Sequence, residues 1–330
     1  MPLRVGIGIG VSFGAAAKAL LSVDFVNGVY QKSGVNYPLA SLPGWSFSRA
    51  STGYAQTTAG LLINFASGAP RITNQGLLVE ASATNLMTQS QGAFATGWTP
   101  SSLTVTDNNI VSPDGTTTAS SLVDNGANVT HNVNSPSVTL TSGANYTVSV
   151  YGKPGAPTGS ASLLQLLGSS AGWGTFYVNY DLTNAVVTAS VNGTGTIAST
   201  GVKSVTNGFV RSIVTVKALS TSGTIGVTRI GTSTDTRVQT YSGSGTTVGA
   251  WGVQVEAGNT ASSYIPTTAA AATRAADVAS LTFSGAPAKA TITYGAGQTA
   301  IINNPTSPLD LGASSGGAWV GSYIQKVVIQ

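Results

Sequence analysis

Hydrolysis of polysaccharides commonly uses two carboxyl groups facing each other across a cleft. The chain has ten Asp and Glu in 330 residues. Its two glutamates close apolar runs of the same shape, Gly76-Leu-Leu-Val-Glu80-Ala81 and Gly252-Val-Gln-Val-Glu256-Ala257. Each is expected to cap a strand end and pair with a nearby arginine. Spacing alone leaves open whether the two meet across a sheet. Asp114 sits in a Pro-Asp-Gly turn, Asp181 precedes a turn, and Asp277 follows Arg274 by three residues, so structure accounts for each. His131, the single histidine, has neither a nucleophile nor a second histidine nearby in Asn128-Val-Thr-His-Asn-Val-Asn134. That context forms no triad and no metal pair. There is no cysteine, which removes thiol nucleophiles, thiolate metal sites and disulfides. No dense Asp/Asn/Gly loop offers a calcium site. The residues predict no catalytic set, no metal site and no cofactor, and the expectation is a protein that is not an enzyme.

Sugar binding needs other groups: aromatic faces for the C–H surface of a sugar, and short amides and hydroxyls for its OH groups. Gly172-Trp173-Gly-Thr-Phe176-Tyr177-Val-Asn179-Tyr180 supplies both. Trp173, between two glycines, is expected on an accessible loop. Tyr241 in Gln239-Thr-Tyr-Ser-Gly-Ser-Gly245 is a second loop aromatic with polar neighbours. The candidate carbohydrate-binding residues are Trp173, Tyr177, Asn179 and Tyr241. The competing reading packs Trp173 and Tyr177 into a core, as is expected of Trp98 and Trp251.

These side chains would be carried on strands. In Tyr146-Thr-Val-Ser-Val-Tyr151, Val148 and Val150 share a face with Tyr146, while Thr147 and Ser149 point the other way. In Phe209–Val216, Phe209, Arg211, Ile213 and Thr215 share one side. Similar short runs recur from Val23 to the last residue. They are punctuated by turn pairs at Asn27-Gly28, Asn125-Gly126, Asn192-Gly193 and Asn207-Gly208. Helical turns are expected only at Ala15–Leu21 and Ala269–Ala276. The pattern predicts an all-β fold, a jelly-roll β-sandwich flanked by an extended N-terminal arm, a small β region and a small C-terminal β domain.

Composition narrows the class further. Only 7% of residues are charged, against roughly 25% in ordinary domains, so coiled coils and long charged helices are excluded. With 42% apolar residues and a mean hydropathy of +0.21, disorder is excluded as well. The +4 net charge is spread along the chain without a basic run, which argues against nucleic-acid partners. In Val5-Gly-Ile-Gly-Ile-Gly-Val11 the glycines alternate, which breaks any apolar helix, is too short to insert in a bilayer, and lacks the spacing of a dinucleotide loop. An extended anchoring arm over 1–22 fits better. The remaining boundaries fall at 23–85 for a β region, 86–265 for the jelly roll, and 266–330 for a connector and C-terminal β unit. The apolar run to Gln330 is a strand that either completes its own small sheet or, left free, pairs with another chain or with the particle.

Phe47-Ser-Arg-Ala-Ser-Thr52, Pro70-Arg71 and Gly76-Leu-Leu-Val-Glu-Ala-Ser-Ala-Thr-Asn-Leu86 resemble the opening module of bacteriophage head-spike and tail-fibre proteins. The stretch that follows is similar to carbohydrate-binding-module jelly rolls. It carries Gly97-Trp98-Thr99, Ser112-Pro-Asp-Gly-Thr116, Asn207-Gly-Phe-Val-Arg211, Trp251–Gly258, Ser263-Tyr-Ile-Pro-Thr267 and Thr273-Arg-Ala-Ala-Asp277. Val210 stands where those proteins usually have an aromatic before the arginine. The resemblance implies a virion protein assembled in the bacterial cytoplasm, a head spike or fibre subunit. Its implied partners are other virion proteins through the N-terminal arm, host cell-surface polysaccharide, and further copies of itself as a trimer or pentamer. The alternatives are a structural capsid or tail component without sugar binding, or a capsule depolymerase.

Overall fold

The alternation read in Tyr146–Tyr151 is carried through by a computed structural model that describes residues 19–330 other than 93 and 157. In strand Asn145–Pro154, Tyr146, Val148 and Val150 point into a core, with Val214 and Val216 of Val210–Lys217 beside them. Leu164, Leu166, Phe176, Val178, Tyr180 and Val227 enter the same core from the opposing sheet. Two six-stranded antiparallel sheets thus face each other. The first runs Thr99–Ser101, His131–Asn134, Ile225–Arg229, Leu163–Gly168, Phe176–Asp181, Val186–Asn192. The second runs Leu103–Ile110, Ala119–Asp124, Thr247–Ala257, Asn145–Pro154, Val210–Lys217, Ile197–Ser204. The chain passes back and forth between the sheets, as a jelly roll requires. The turn at Asn207-Gly208 has both residues at positive φ, 58° and 74°, the conformation that Asn and Gly tolerate best.

The segments before and after the sandwich meet in one further sheet. Leu21–Asp24 lies between Val29–Lys32 and Tyr323–Ile329, and Lys289–Tyr294 pairs with the other edge of Tyr323–Ile329. Leu77 and Leu78 pair with Ile324 and Tyr323. Leu21, Val23, Leu77, Val79, Leu281, Ile292, Val327 and Ile329 form their common core. The last strand is therefore not free for another chain: both of its edges are hydrogen-bonded within the molecule. The expected helical turn at Ala269–Ala276 is also corrected. Ala272–Arg274 is a strand on Ala83–Asn85, because a helix of so few residues leaves most of its N–H and C=O groups unpaired whereas the strand partner takes them. Leu21, at the end of the other expected helical turn, likewise begins a strand. Residues 1–18 of the anticipated arm lie outside the described residues.

A third cluster joins these parts. Tyr54 and Leu62, from the hairpin Gly53–Gln56 and Leu62–Phe65, pack with Tyr151, Phe209, Trp251 and Tyr264. Tyr151 and Phe209 lie on the face of the second sheet that points away from the sandwich core, so that face is covered rather than wet. The Trp251 and Tyr264 rings stand 4.3 Å apart. Among the described residues no helix is long and apolar enough to cross a membrane.

Val327 is fully buried between strands from opposite ends of the chain. Val327→Asp is expected to lose roughly 3–5 kcal/mol, the scale of an unpaired buried charge. In native-state hydrogen exchange, protection of Leu21–Asp24 and Lys289–Tyr294 is expected to fall together. Unchanged exchange in Leu21–Asp24 would refute the shared sheet.

Candidate functional site

Five charged residues far apart in sequence converge behind the Gly53 hairpin. Arg49 Nη1 donates to Asp277 Oδ1 at 3.1 Å, and Arg71 Nη2 donates to the other oxygen, Asp277 Oδ2. Arg71 Nη1 donates to Glu80 Oε2 at 2.6 Å, to Ser263 Oγ at 2.9 Å and to the Tyr54 carbonyl at 2.8 Å. Arg274 approaches the same Glu80 oxygen at 3.5 Å. Glu80 Oε1 accepts from the Ser263 amide at 2.8 Å, and the Glu80 amide donates to Asp277 Oδ2 at 2.8 Å. Gly53 closes the cluster: a Cβ there would lie 3.1 Å from Arg49 Nε and from Arg71 Cδ. Burial pushes the Glu80 carboxyl up, but Arg274, Arg71 and the hydrogen bond from Ser263 more than offset it and hold the carboxyl below its ordinary value.

The two glutamates do come to one place. Glu256 accepts from the Ser262 amide at 3.1 Å and from the Ser262 hydroxyl, while Glu80 takes the amide of the next residue. Both line a cavity of about 350 Å³ together with Arg274, Thr260 and Ser262. Glu80 pairs with arginines as expected. Glu256 instead binds the turn and has no ion pair within 4.0 Å among the described residues. A carboxylate held ionised between two guanidinium groups is a structural anion and a poor proton donor, which describes Glu80.

The four sugar-site candidates are not assembled into a surface platform. Trp173 is fully buried, edge-on to Tyr146 at 5.8 Å, so its placement on an accessible loop is corrected. The glycines around it serve close packing: a Cβ at Gly172 would lie 2.5 Å from Gly223 Cα, and one at Gly168 would lie 2.4 Å from the indole. Asn179 is fully buried too. It accepts from Gln165 Nε2 at 2.8 Å and donates to the carbonyls of Ser233 at 3.2 Å and Asp235 at 2.8 Å, which pins the loop over the first sheet. Tyr177 shares the outward face of that strand and is half-buried. Tyr241, at the end of the same loop region, donates to Asp124 Oδ2 at 2.8 Å and lies 4.6 Å from the His131 ring. Burial pushes its hydroxyl far above the ordinary tyrosine value.

An aromatic strip does exist elsewhere. Trp45 and Phe47 project from the same side of Trp45–Ser48, the edge strand beside Val278–Leu281. Their rings are nearly parallel, 16° between planes and 6.4 Å between centres. Both are half-buried. They line an open groove of about 530 Å³ with Leu39, Ser46 and Pro70, and the Arg49 guanidinium stands 5.8 Å from the Phe47 ring. None of the chemistry-bearing motifs in the sequence points to this strip; its signal there is the period-two Trp-Ser-Phe-Ser pattern.

No family model and no curated protein matches the chain. Among solved structures it is similar to the enzymatically active domain of tailspike protein 4 of bacteriophage CBA120, with 13% identity and a TM-score of 0.32. That similarity covers 52% of this chain and 21% of the other. A likeness of this size assigns neither fold nor activity here. The solved domain is nonetheless an enzymatically active one, so the expectation that this chain is not an enzyme is corrected and does not stand.

Arg71→Met leaves Glu80 and Asp277 short of a cation, and it is expected to cost roughly 3–5 kcal/mol in urea unfolding. The Glu80 carboxyl has a lower pKa folded than unfolded. Its stabilisation is therefore complete above its ordinary value of 4.5 and is lost as pH falls through the depressed folded value. Wild-type stability is expected to decline below pH 4.5. Glu80→Gln is expected to flatten that part of the curve, and an unaltered acid limb would count against this role.

Proposed function

We propose that this chain is a bacteriophage virion protein, a spike or fibre subunit, that contacts host-surface glycan through the Trp45–Phe47 groove. The observation carrying the reading is the stacked, half-exposed aromatic pair beside the exposed Ser46. Two nearly parallel rings, seated against the core beside Phe25 and open to the groove, present an apolar surface that can take the C–H face of a sugar chain. The resemblance to spike and fibre proteins adds support, because Arg49, Arg71, Glu80, Arg274 and Asp277 of the matching segments converge in one cluster. In this reading the N-terminal segment attaches the subunit to other virion proteins. Copies assemble with closed symmetry, a trimer in a fibre or a pentamer at a vertex.

The test is binding of purified protein to isolated host-surface polysaccharide. Trp45→Ala and Phe47→Ala, each checked for an unchanged circular dichroism spectrum, are expected to weaken binding by about tenfold or more. Equal binding by both folded variants would overturn the groove as the contact surface. The same incubations, assayed for released reducing ends, measure whether contact is accompanied by cleavage.

A further inference from the structure

The Gly53 hairpin, the second sheet of the sandwich and the strand Tyr323–Ile329 enclose a cavity of about 140 Å³. An enclosed apolar cavity of ~150 Å³ holds a benzene ring; this one is open on one side, so a larger, substituted ring can lie partly within it and partly in its mouth. The walls are partly apolar, from Tyr54, Leu62 and Tyr264, and partly cationic, from Arg211 and Lys203. Those two cations are direct register partners on adjacent strands, an arrangement that destabilises a sheet unless an anion lies between them. Among the described residues, neither has a carboxylate within 4.0 Å.

Arg211 is buried, at 7% exposure. Its Nε and Nη2 donate to Ser149 Oγ at 3.2 and 2.9 Å, and its Nη1 donates to the Ser262 carbonyl at 2.7 Å. A guanidinium has five N–H donors, so two remain. Lys203 stands exposed at the mouth. Although the residue as a whole is exposed, the protein surrounding its ammonium, and Arg211 beside it, lower its pKa, with Glu80 opposing. Tyr151 lines the same cavity under the Arg211 guanidinium, 5.3 Å from ring centre to Cζ. Tyr151 is 2% exposed, and its hydroxyl has no hydrogen-bond partner among the described residues. Glu80 also lines the cavity, but its charge is already matched by Arg71 and Arg274 and both of its oxygens are engaged. The unmet needs are thus one negative charge and an acceptor for Arg211, with the Tyr151 ring in the wall beside them.

We propose that this cavity binds a carboxylate carried on a small polar ring, the chemistry of a hexuronic acid residue, with Arg211 and Lys203 on the carboxylate and the Tyr151 hydroxyl on a ring oxygen. The choice of a sugar acid rests on the glycan-contact reading above. The test uses free monosaccharides and leaves the Trp45–Phe47 groove intact, so either idea can fail without the other.

Calorimetry and thermal melting of the full chain with sodium glucuronate, glucose, sodium acetate and inorganic phosphate provide the test. Glucuronate is expected to bind and raise Tm, with glucose and acetate at least about tenfold weaker. Lys203→Gln, at an exposed position, is expected to weaken glucuronate about tenfold, and Tyr151→Phe severalfold; without ligand, Tyr151→Phe keeps the wild-type urea midpoint, and Lys203→Gln keeps or raises it because the like-charge pair is gone. The proposal is overturned if glucuronate does not bind, or binds no better than glucose. It is equally overturned if phosphate or acetate binds as tightly, or if both folded variants bind glucuronate like the wild type.

Discussion

A fully buried carboxylate is sustainable only when cations and amide donors replace the water it has lost. Asp277 meets that condition with Arg49 on one oxygen, and with Arg71 and the Glu80 amide on the other. The partners come from positions 228, 206 and 197 residues away in the chain. Arg71 then passes to Glu80, Glu80 to the Ser263 amide, and Arg274 closes the group from the strand on Ala83–Asn85. Removing either carboxylate strands guanidinium charge in a dry interior, and removing Arg71 takes a cation from both carboxylates at once, so the entry to the sandwich, its exit and the C-terminal segment are constrained by one electrostatic condition.

That condition explains where the empty spaces fall. Sheets pack at interior density within themselves, whereas surfaces brought together by a polar cluster meet less completely. The cavity beneath Arg211, the cavity shared by Glu80 and Glu256, and the groove along Trp45 and Phe47 all lie where the flanking segments join one another or the sandwich. The scarcity of charge takes on another meaning as well. With 24 charged side chains in 330 residues, the five gathered around Asp277 and Glu80 are charges kept for the interior, and hydroxyls and amides supply much of the polar surface.

Sandwich strands were legible because a half-buried strand writes its period into the chain: Tyr146, Val148 and Val150 face inward as their spacing indicates. Arg211 was placed correctly on the face opposite Val210 and Val214, but nothing local indicated that this face is roofed by Tyr54, Leu62 and Tyr264. Trp173 misled because flanking glycines carry two meanings. They mark mobile loops, and they also mark places where one stretch of backbone must lie close against another, as Gly172 does against Gly223 and Gly174 against Gly195. The alanine run near Arg274 misled in the same way. Helix propensity differs by fractions of a kcal/mol per residue, and pairing with Ala83–Asn85 outweighs it.

The amino-acid sequence by itself determined the all-β class, the turns at Asn27-Gly28 and Asn207-Gly208, the inward faces of the sandwich strands and the presence of Arg–carboxylate motifs. Each of these rests on interactions between residues near one another in the chain. Tertiary structure alone decided that Leu21–Asp24 lies beside Tyr323–Ile329, that Glu80 and Glu256 hold consecutive residues of one turn, and that Lys203 and Arg211 face an unneutralised cavity. Those outcomes depend on segments far apart in the chain coming together, such as Leu21 with Ile329 and Glu80 with the Ser263 amide 183 residues away, and the entropy of closing such loops grows only as the logarithm of length. No local pattern records which distant partner repays that entropy; buried charge and apolar area in the folded whole select it.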